Sequence, residues 1–289
     1  MDIERILVVG AGIMGHGIAL VAARTGFEVS LVDLDEEILT RGRKEIEEFL
    51  NGSVKRGKMV KDEVYSTFSR IRMSTDIDEE AKESDFVIEA VVENREVKSN
   101  LFSALNTVCK PETIFATNTS QLSITELGEN SHRPDRFIGM HWFNPPAIMR
   151  LVEIPVGLNT SRETVNTVIE LSKKMGKQPF VCKDSPGFIV NRILNPWYNE
   201  AMKLVDEGVA AVEDIDTAIK VGGGFRMGPL ELRDLVGLDT ALHVTDDLYE
   251  RLRNEKFNPP TCLRDLVHGG NLGRKSGKGF YDYAKRGEK

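Results

Sequence analysis

The first two-thirds of the chain alternates short apolar, β-branched runs with longer stretches in which apolar residues recur every three or four positions. Ile6–Val9, Val29–Val32, Phe86–Val91, Thr113–Thr117, Phe137–His141 and Leu151–Ile154 are expected to be strands. Between them, Ile13–Thr25, Glu36–Phe49 and Arg95–Val108 carry the helical period. Strand–helix alternation of this kind implies parallel strands joined by crossover helices, hence a doubly wound α/β sheet. The connection between the last two strands is too short for a crossover, which predicts an antiparallel pair at the sheet edge.

Beyond Phe180–Cys182 the pattern changes. Asp184-Ser185-Pro186-Gly187 punctuates the chain, and the stretch to about Arg253 reads as helical throughout. Pro186 suits a helix start, and Pro196 is expected to kink the following helix rather than end it. The expected organisation is a sheet domain over residues 1–184 and a smaller all-α domain over 185–289. Residues 43–70 form a charged helical excursion longer than a normal crossover, either an insertion or a place where something binds.

The formal net charge of −7 argues against a nucleic-acid partner. Hydrophobic residues at 40% and charged residues at 29% fit a globular chain. The three cysteines, Cys109, Cys182 and Cys262, are widely spaced and odd in number, so neither a disulfide framework nor a metal site is expected. Glycines interrupt the longest uncharged stretch, Ile6 to Ala23, so it reads as neither signal peptide nor membrane span. A cytoplasmic protein with no membrane partner is the expectation.

Candidate chemistry starts at residues 6–17, Ile-Leu-Val-Val-Gly-Ala-Gly-Ile-Met-Gly-His-Gly. The Gly-x-Gly-x-x-Gly follows an apolar strand and opens a helix, the context a dinucleotide fingerprint requires. Gly10 permits the tight turn, Gly12 lets the backbone approach a pyrophosphate, and Gly15 lets helix pack on strand. The helix N-terminus, with Ile13 and Met14 in its first turn, offers free N–H groups to phosphate. Asp33 ends the second strand 18 residues after Gly15, where its carboxylate suits a ribose diol and repels a 2′-phosphate. NAD rather than NADP is the expected cofactor, on a Rossmann-type sheet.

His141 ends a predicted strand, and Asn144-Pro145-Pro146 turns the chain towards Glu153. If the two strands pair about residue 147, His141 falls opposite Glu153, with Cβ atoms ~4.5–5.5 Å apart. Dehydrogenating an alcohol needs a base for the hydroxyl proton, and a carboxylate would fix the tautomer of a histidine base and stabilise its cation. His16, His132, His243 and His268 have no such partner in the sequence and read as structural.

Together these residues resemble the L-3-hydroxyacyl-CoA dehydrogenase family, in particular its short bacterial 3-hydroxybutyryl-CoA branch, over nearly the whole chain. The resemblance rests on Gly-Ala-Gly-Ile-Met-Gly at 10–15, Val-Ile-Glu-Ala-Val-Val-Glu at 87–93 and Thr-Asn-Thr-Ser-Gln-Leu at 117–122. The most diagnostic segments are Gly-Met-His-Trp-Phe-Asn-Pro-Pro at 139–146 and Asp-Ser-Pro-Gly-Phe-Ile-Val-Asn-Arg at 184–192. Met-Gly-Pro at 227–229, Gly-Leu-Asp at 237–239 and Gly-Lys-Gly-Phe-Tyr at 277–281 extend it, while Arg226 stands where a proline is expected. The resemblance implies that His141 is the base and Glu153 its orienting partner, with Ser120 and Asn191 on the reacting oxygen. It puts Asn144 against nicotinamide or substrate, and Glu93, Lys98 and Lys275 near the cofactor. It further implies that Ser53, Lys55, Arg56 and Lys58 of the excursion meet the coenzyme A of an acyl-CoA substrate, and that the chain forms a homodimer through 185–289. Apolar Trp197, Leu235, Leu238, Leu242 and Leu248 are the expected source of that dimer surface. Two other readings stay open: a related dehydrogenase of a free hydroxy acid, and a non-catalytic NAD-binding protein.

Overall fold

A computed structural model describes residues 2–286, so Met1 and residues 287–289, the extreme ends of the two expected domains, lie outside it. The chain divides into two compact units, Met1–Phe188 and Ile189–Lys289. In the first, β1 (Arg5–Val9), α1 (Ile13–Arg24), β2 (Glu28–Val32), α2 (Glu36–Lys55), α3 (Lys61–Ser69) and β3 (Ile71–Ser74) build one half of a sheet. The other half follows as α4 (Ile77–Ala81), β4 (Phe86–Glu89), α5 (Arg95–Val108), β5 (Ile114–Thr117), α6 (Ile124–Asn130) and β6 (Phe137–Gly139). All six strands are parallel, in the order β3-β2-β1-β4-β5-β6. The order reverses between β1 and β4, and at such a switch point a crevice opens beyond the carboxyl ends of the strands.

Period-two alternation puts both faces of this sheet in apolar contact. Ile6, Val8, Phe86 and Ile88 pack with Ile18, Leu39 and Ile46 of α1 and α2. Leu7, Val87 and Phe115 point the other way, onto Phe102 of α5 and Leu127 of α6. Phe102 meets Phe115 at 5.6 Å and Phe137 edge-on at 4.7 Å between ring centroids. Each such side chain contributes about 1.5–3 kcal/mol on burial.

The antiparallel pair is not an edge of this sheet. After Gly139 the chain leaves it, and β7 (His141–Trp142), β8 (Leu151–Val156) and β9 (Gln178–Lys183) form a separate three-stranded sheet, with α7 (Arg162–Lys174) between β8 and β9. β7 and β8 are antiparallel, β8 and β9 parallel. The predicted strand Phe137–His141 is therefore two strands jointed at Met140. The side chain of a residue at 139 would explain why: a Cβ there would lie 2.3 Å from the Pro155 ring, so only glycine lets the first sheet pass so close to β8.

The second unit contains α8 (Val190–Asp206), α9 (Val212–Gly223), α10 (Pro229–Val236), α11 (Leu238–Leu252) and α12 (Thr261–His268). Pro186 does not start α8. Gly187 and Phe188 both adopt positive φ, 75° and 45°, which is incompatible with helix, and α8 begins at Val190. It then runs through Pro196. Met202, Leu230, Leu238 and Leu263 centre this unit's core. The Asp216 carboxylate accepts the N–H groups of Leu230 and Glu231 and the Tyr281 hydroxyl at 2.6–2.9 Å. Asp234 accepts the N–H groups of Phe280 and Tyr281 and the Tyr283 hydroxyl at 2.9–3.1 Å. These two acids fasten the Gly-Lys-Gly-Phe-Tyr segment, so its resemblance to a family motif has a structural cause here. Among the described residues no helix is long and apolar enough to cross a membrane.

Candidate active site

The glycine turn behaves as its three positions require. Gly10 has φ 99° and a Cβ on it would collide with the Ala90 carbonyl at 2.6 Å; one on Gly15 would strike the Gly10 carbonyl. A Cβ on Gly12 would meet nothing within 4 Å, so the side where a pyrophosphate would approach is open. Gly12 is also the N-cap of α1 and makes no side-chain cap, leaving the first-turn N–H groups for a ligand. Asp33 directly follows β2 and accepts the Ala11 N–H at 2.8 Å through Oδ2, which ties the ribose-binding candidate to the glycine turn. Its Oδ1 accepts the Asp35 N–H at 3.2 Å, while Asp35, not Asp33, caps α2.

Three apolar side chains stand exposed on this rim: Ile13 at 67%, Leu34 at 88% and Val92 at 67%. They follow the carboxyl ends of β1, β2 and β4, where flat adenine and nicotinamide rings would cover them. The residues present thus fit a bound NAD.

On the β4–β5 side, Glu93, Lys98 and Ser120 form one network. Glu93 Oε1 accepts the Ser120 N–H at 2.9 Å and the Thr119 hydroxyl at 2.5 Å. Lys98 Nζ lies 3.1 Å from Glu93 Oε2 and 2.5 Å from Glu89 Oε1. Lys98 is 1% exposed, so any effect of its charge on a cofactor passes through these acids. Sequence reasoning missed Glu89, which also accepts the Val91 N–H and the Thr117 hydroxyl. Burial pushes its carboxyl up, and Lys98 and Thr117 pull it back. The available signal was an acid inside the apolar run Phe86–Val91.

His141 and Glu153 are direct cross-strand partners in the β7–β8 pair. Nδ1 of His141 lies 2.8 Å from Glu153 Oε2, and both side chains are buried. With the carboxylate accepting from Nδ1–H, Nε2 is the nitrogen left to take a proton. Phe143 and Phe188 flank the imidazole at 4.7 and 5.6 Å between ring centroids. Thr117 at the end of β5 accepts the Met140 N–H at 2.8 Å, so the histidine begins beside the strand that leads to Ser120.

Asn144 is exposed on the β7–β8 loop. It lines a cleft of about 600 Å³ together with Gly12, Ile13, Arg41, Phe49 and Pro145. The cleft runs along α2, whose far end carries exposed Lys55 and Arg56, with exposed Lys58 following. Ser53 turns inward instead, donating its hydroxyl to the Phe49 carbonyl at 2.9 Å. Asn191 and Lys275 belong to the second unit: Asn191 lies in the first turn of α8, and Lys275 Nζ pairs with the Asp239 carboxylate at 2.6 Å. All three thiols are free, and burial pushes Cys109 and Cys182 up to about 11 and Cys262 up to about 12, so none is an activated nucleophile.

Residues 5–185 match the NAD binding domain of 3-hydroxyacyl-CoA dehydrogenase, and residues 187–283 match the C-terminal domain of the same enzyme. A probable 3-hydroxybutyryl-CoA dehydrogenase of Bacillus subtilis is 46% identical over 286 residues, 99% of each chain. The mitochondrial hydroxyacyl-coenzyme A dehydrogenase of Sus scrofa is 45% identical over 97% of this chain and 91% of its own. Among solved structures, (S)-3-hydroxybutyryl-CoA dehydrogenase from Ralstonia eutropha superimposes with a TM-score of 0.94 at 42% identity, covering 98% of this chain and 99% of its own.

Proposed function

The chain belongs to the 3-hydroxyacyl-CoA dehydrogenase family, NAD-dependent oxidoreductases, and on that footing we propose that it interconverts short-chain (3S)-3-hydroxyacyl-CoA, 3-hydroxybutyryl-CoA above all, and 3-oxoacyl-CoA with His141 as the general base. The observation that carries this reading is the buried His141–Glu153 pair at 2.8 Å. Bound NAD supplies the hydride acceptor. Nε2 of His141 takes the hydroxyl proton as the C3 hydrogen departs with its electron pair, and the Glu153 carboxylate stabilises the imidazolium that forms. Ser120 and Asn191 steady the developing carbonyl oxygen, and Asn144 orients the reacting groups. Gly10, Gly12, Ile13, Met14, Gly15 and Asp33 hold the dinucleotide, with Glu93 and, behind it, Lys98 at the nicotinamide half; the resemblance to the family adds Lys275 to this set.

The cleft lies along α2 between Asn144 and Phe49, and beyond it stand Lys55, Arg56 and Lys58, which meet the coenzyme A end of the substrate, with Ser53 supporting that end of the helix from within. The test is NADH oxidation with acetoacetyl-CoA against free acetoacetate. Turnover of the thioester at least ~100-fold more efficient than the free acid, equivalent to about 2.7 kcal/mol of transition-state binding, is expected. Equal use of both would return the site to a free hydroxy acid. We further infer that the functional assembly is a homodimer built through the helical unit, in the cytoplasm.

A further inference from the structure

The Asn144–Met149 loop between β7 and β8 forms one wall of the cleft, yet Pro145 and Pro146 have no N–H with which to close it. Within the loop, the N–H groups of Ile148 and Met149 both donate to the Pro145 carbonyl, at 3.0 and 2.9 Å. The next carbonyls are closed from outside. Lys177, in the turn between α7 and β9, donates from Nζ to the Pro146 carbonyl at 2.5 Å and the Met149 carbonyl at 2.8 Å. Its ammonium lies 5.1 Å from the centroid of the Trp142 ring, next to His141 in the chain. On its other side the loop rests on the dinucleotide helix: a Cβ on Gly17 would approach the Pro146 ring to 3.0 Å. A half-buried cation is costly where an apolar side chain would not be, but the apolar side chain has no donors to offer these carbonyls.

We propose that Lys177 is a positioning residue for the reaction: its two hydrogen bonds hold the Asn144–Met149 loop against α1, fixing the wall of the acyl-CoA cleft and the place of Asn144 beside the His141–Glu153 pair. The proposal rests on the dehydrogenase reading of the site. Burial, with repulsion from Arg24 at the end of α1, pushes the Lys177 ammonium down to about 8, consistent with a cation held by carbonyls rather than by a carboxylate.

Lys177→Met keeps the stem and removes the donors; Lys177→Arg keeps a cation with several donors. With acetoacetyl-CoA and NADH, K177M is expected to lose at least ~10-fold in kcat/KM, mainly through KM, while K177R stays within about threefold of the parent. The NADH dissociation constant, read by fluorescence titration, should move less than about threefold in both, because the glycine turn and Asp33 are untouched. A K177M enzyme within about twofold of the parent, or a K177R enzyme as impaired as K177M, overturns the proposal. If K177M does not fold, KM is followed against pH instead. It should climb more steeply in the parent than in K177R as pH rises through about 8, and curves that superimpose overturn the proposal. A parent inert towards acetoacetyl-CoA would overturn the dehydrogenase reading alone. Hydrogen exchange at Ile148 and Met149 then decides on Lys177: about tenfold faster in K177M but not K177R supports its hold on the loop, and equal exchange removes it.

Discussion

A carboxylate 2.8 Å from a ring nitrogen does two things for a histidine base: it selects the tautomer and it stabilises the cation formed by proton uptake. Glu153→Gln separates the two, because an amide oxygen can still accept from Nδ1–H but carries no charge. We expect kcat to fall about 10²–10³-fold, with the NADH dissociation constant little changed. His141→Ala should be at least as severe, and the double variant little worse than that single one, since the pair acts as a unit. Steady-state kinetics on the four proteins decides the matter; multiplicative losses would mean the residues work separately. This pair was legible in the sequence because a short turn and a period of two leave one register that buries both apolar faces. Glu89 and Lys177 were not. Their partners come from other elements, Thr117 and Lys98 in one case and the 144–149 loop in the other, and nothing in their local sequence specifies those meetings.

Among the elements, the α2–α3 hairpin departs most from a plain crossover. Its tip carries Lys55, Arg56 and Lys58 in solvent, remote from His141 in the chain, and contacts there should act alike on substrate and transition state. Neutralising all three should therefore raise KM for acetoacetyl-CoA about tenfold or more and leave kcat nearly unchanged; an unaltered KM would make the tip an ordinary solvated surface. The strands that the apolar pattern gave away are those buried on both faces, whose runs are continuous. β3 (Ile71–Ser74) escaped because it is an edge strand only half buried, with Arg72 exposed in its middle. β9 escaped because Pro179 and exposed Phe180 and Val181 break the alternation, which an edge position tolerates. The second sheet was beyond any local pattern, since β6 and β7 form one apolar run and only the contact of Gly139 with Pro155 parts them.

At the scale of the whole molecule, the helical unit leaves large apolar side chains exposed, but mostly not the ones first singled out. Leu238 and Leu248 are fully buried and Trp197 and Leu242 half-buried; of the five only Leu235 is exposed, at 49%. Helical spacing marks an apolar face without telling whether a neighbouring helix covers it. Ile193, Val221, Phe225 and Val236 carry the exposed surface instead. Light scattering at micromolar concentration should give twice the 32.3 kDa chain mass, and Ile193→Glu or Val221→Glu should shift it towards one chain. A parent that runs at the mass of one chain would remove the dimer. The joint at Met140 has a different consequence. Met140 alone separates the strand that closes the cofactor-side sheet from the strand that carries the base, so the span between those two layers is counted in a single residue. Chain length there is consequently quantised: one residue more or fewer would turn His141 to the opposite face of its strand, away from Glu153, while leaving both sheets free to form. Divergence in this region is thus confined to exchanging side chains, and insertions or deletions have to find room in the loops on either side.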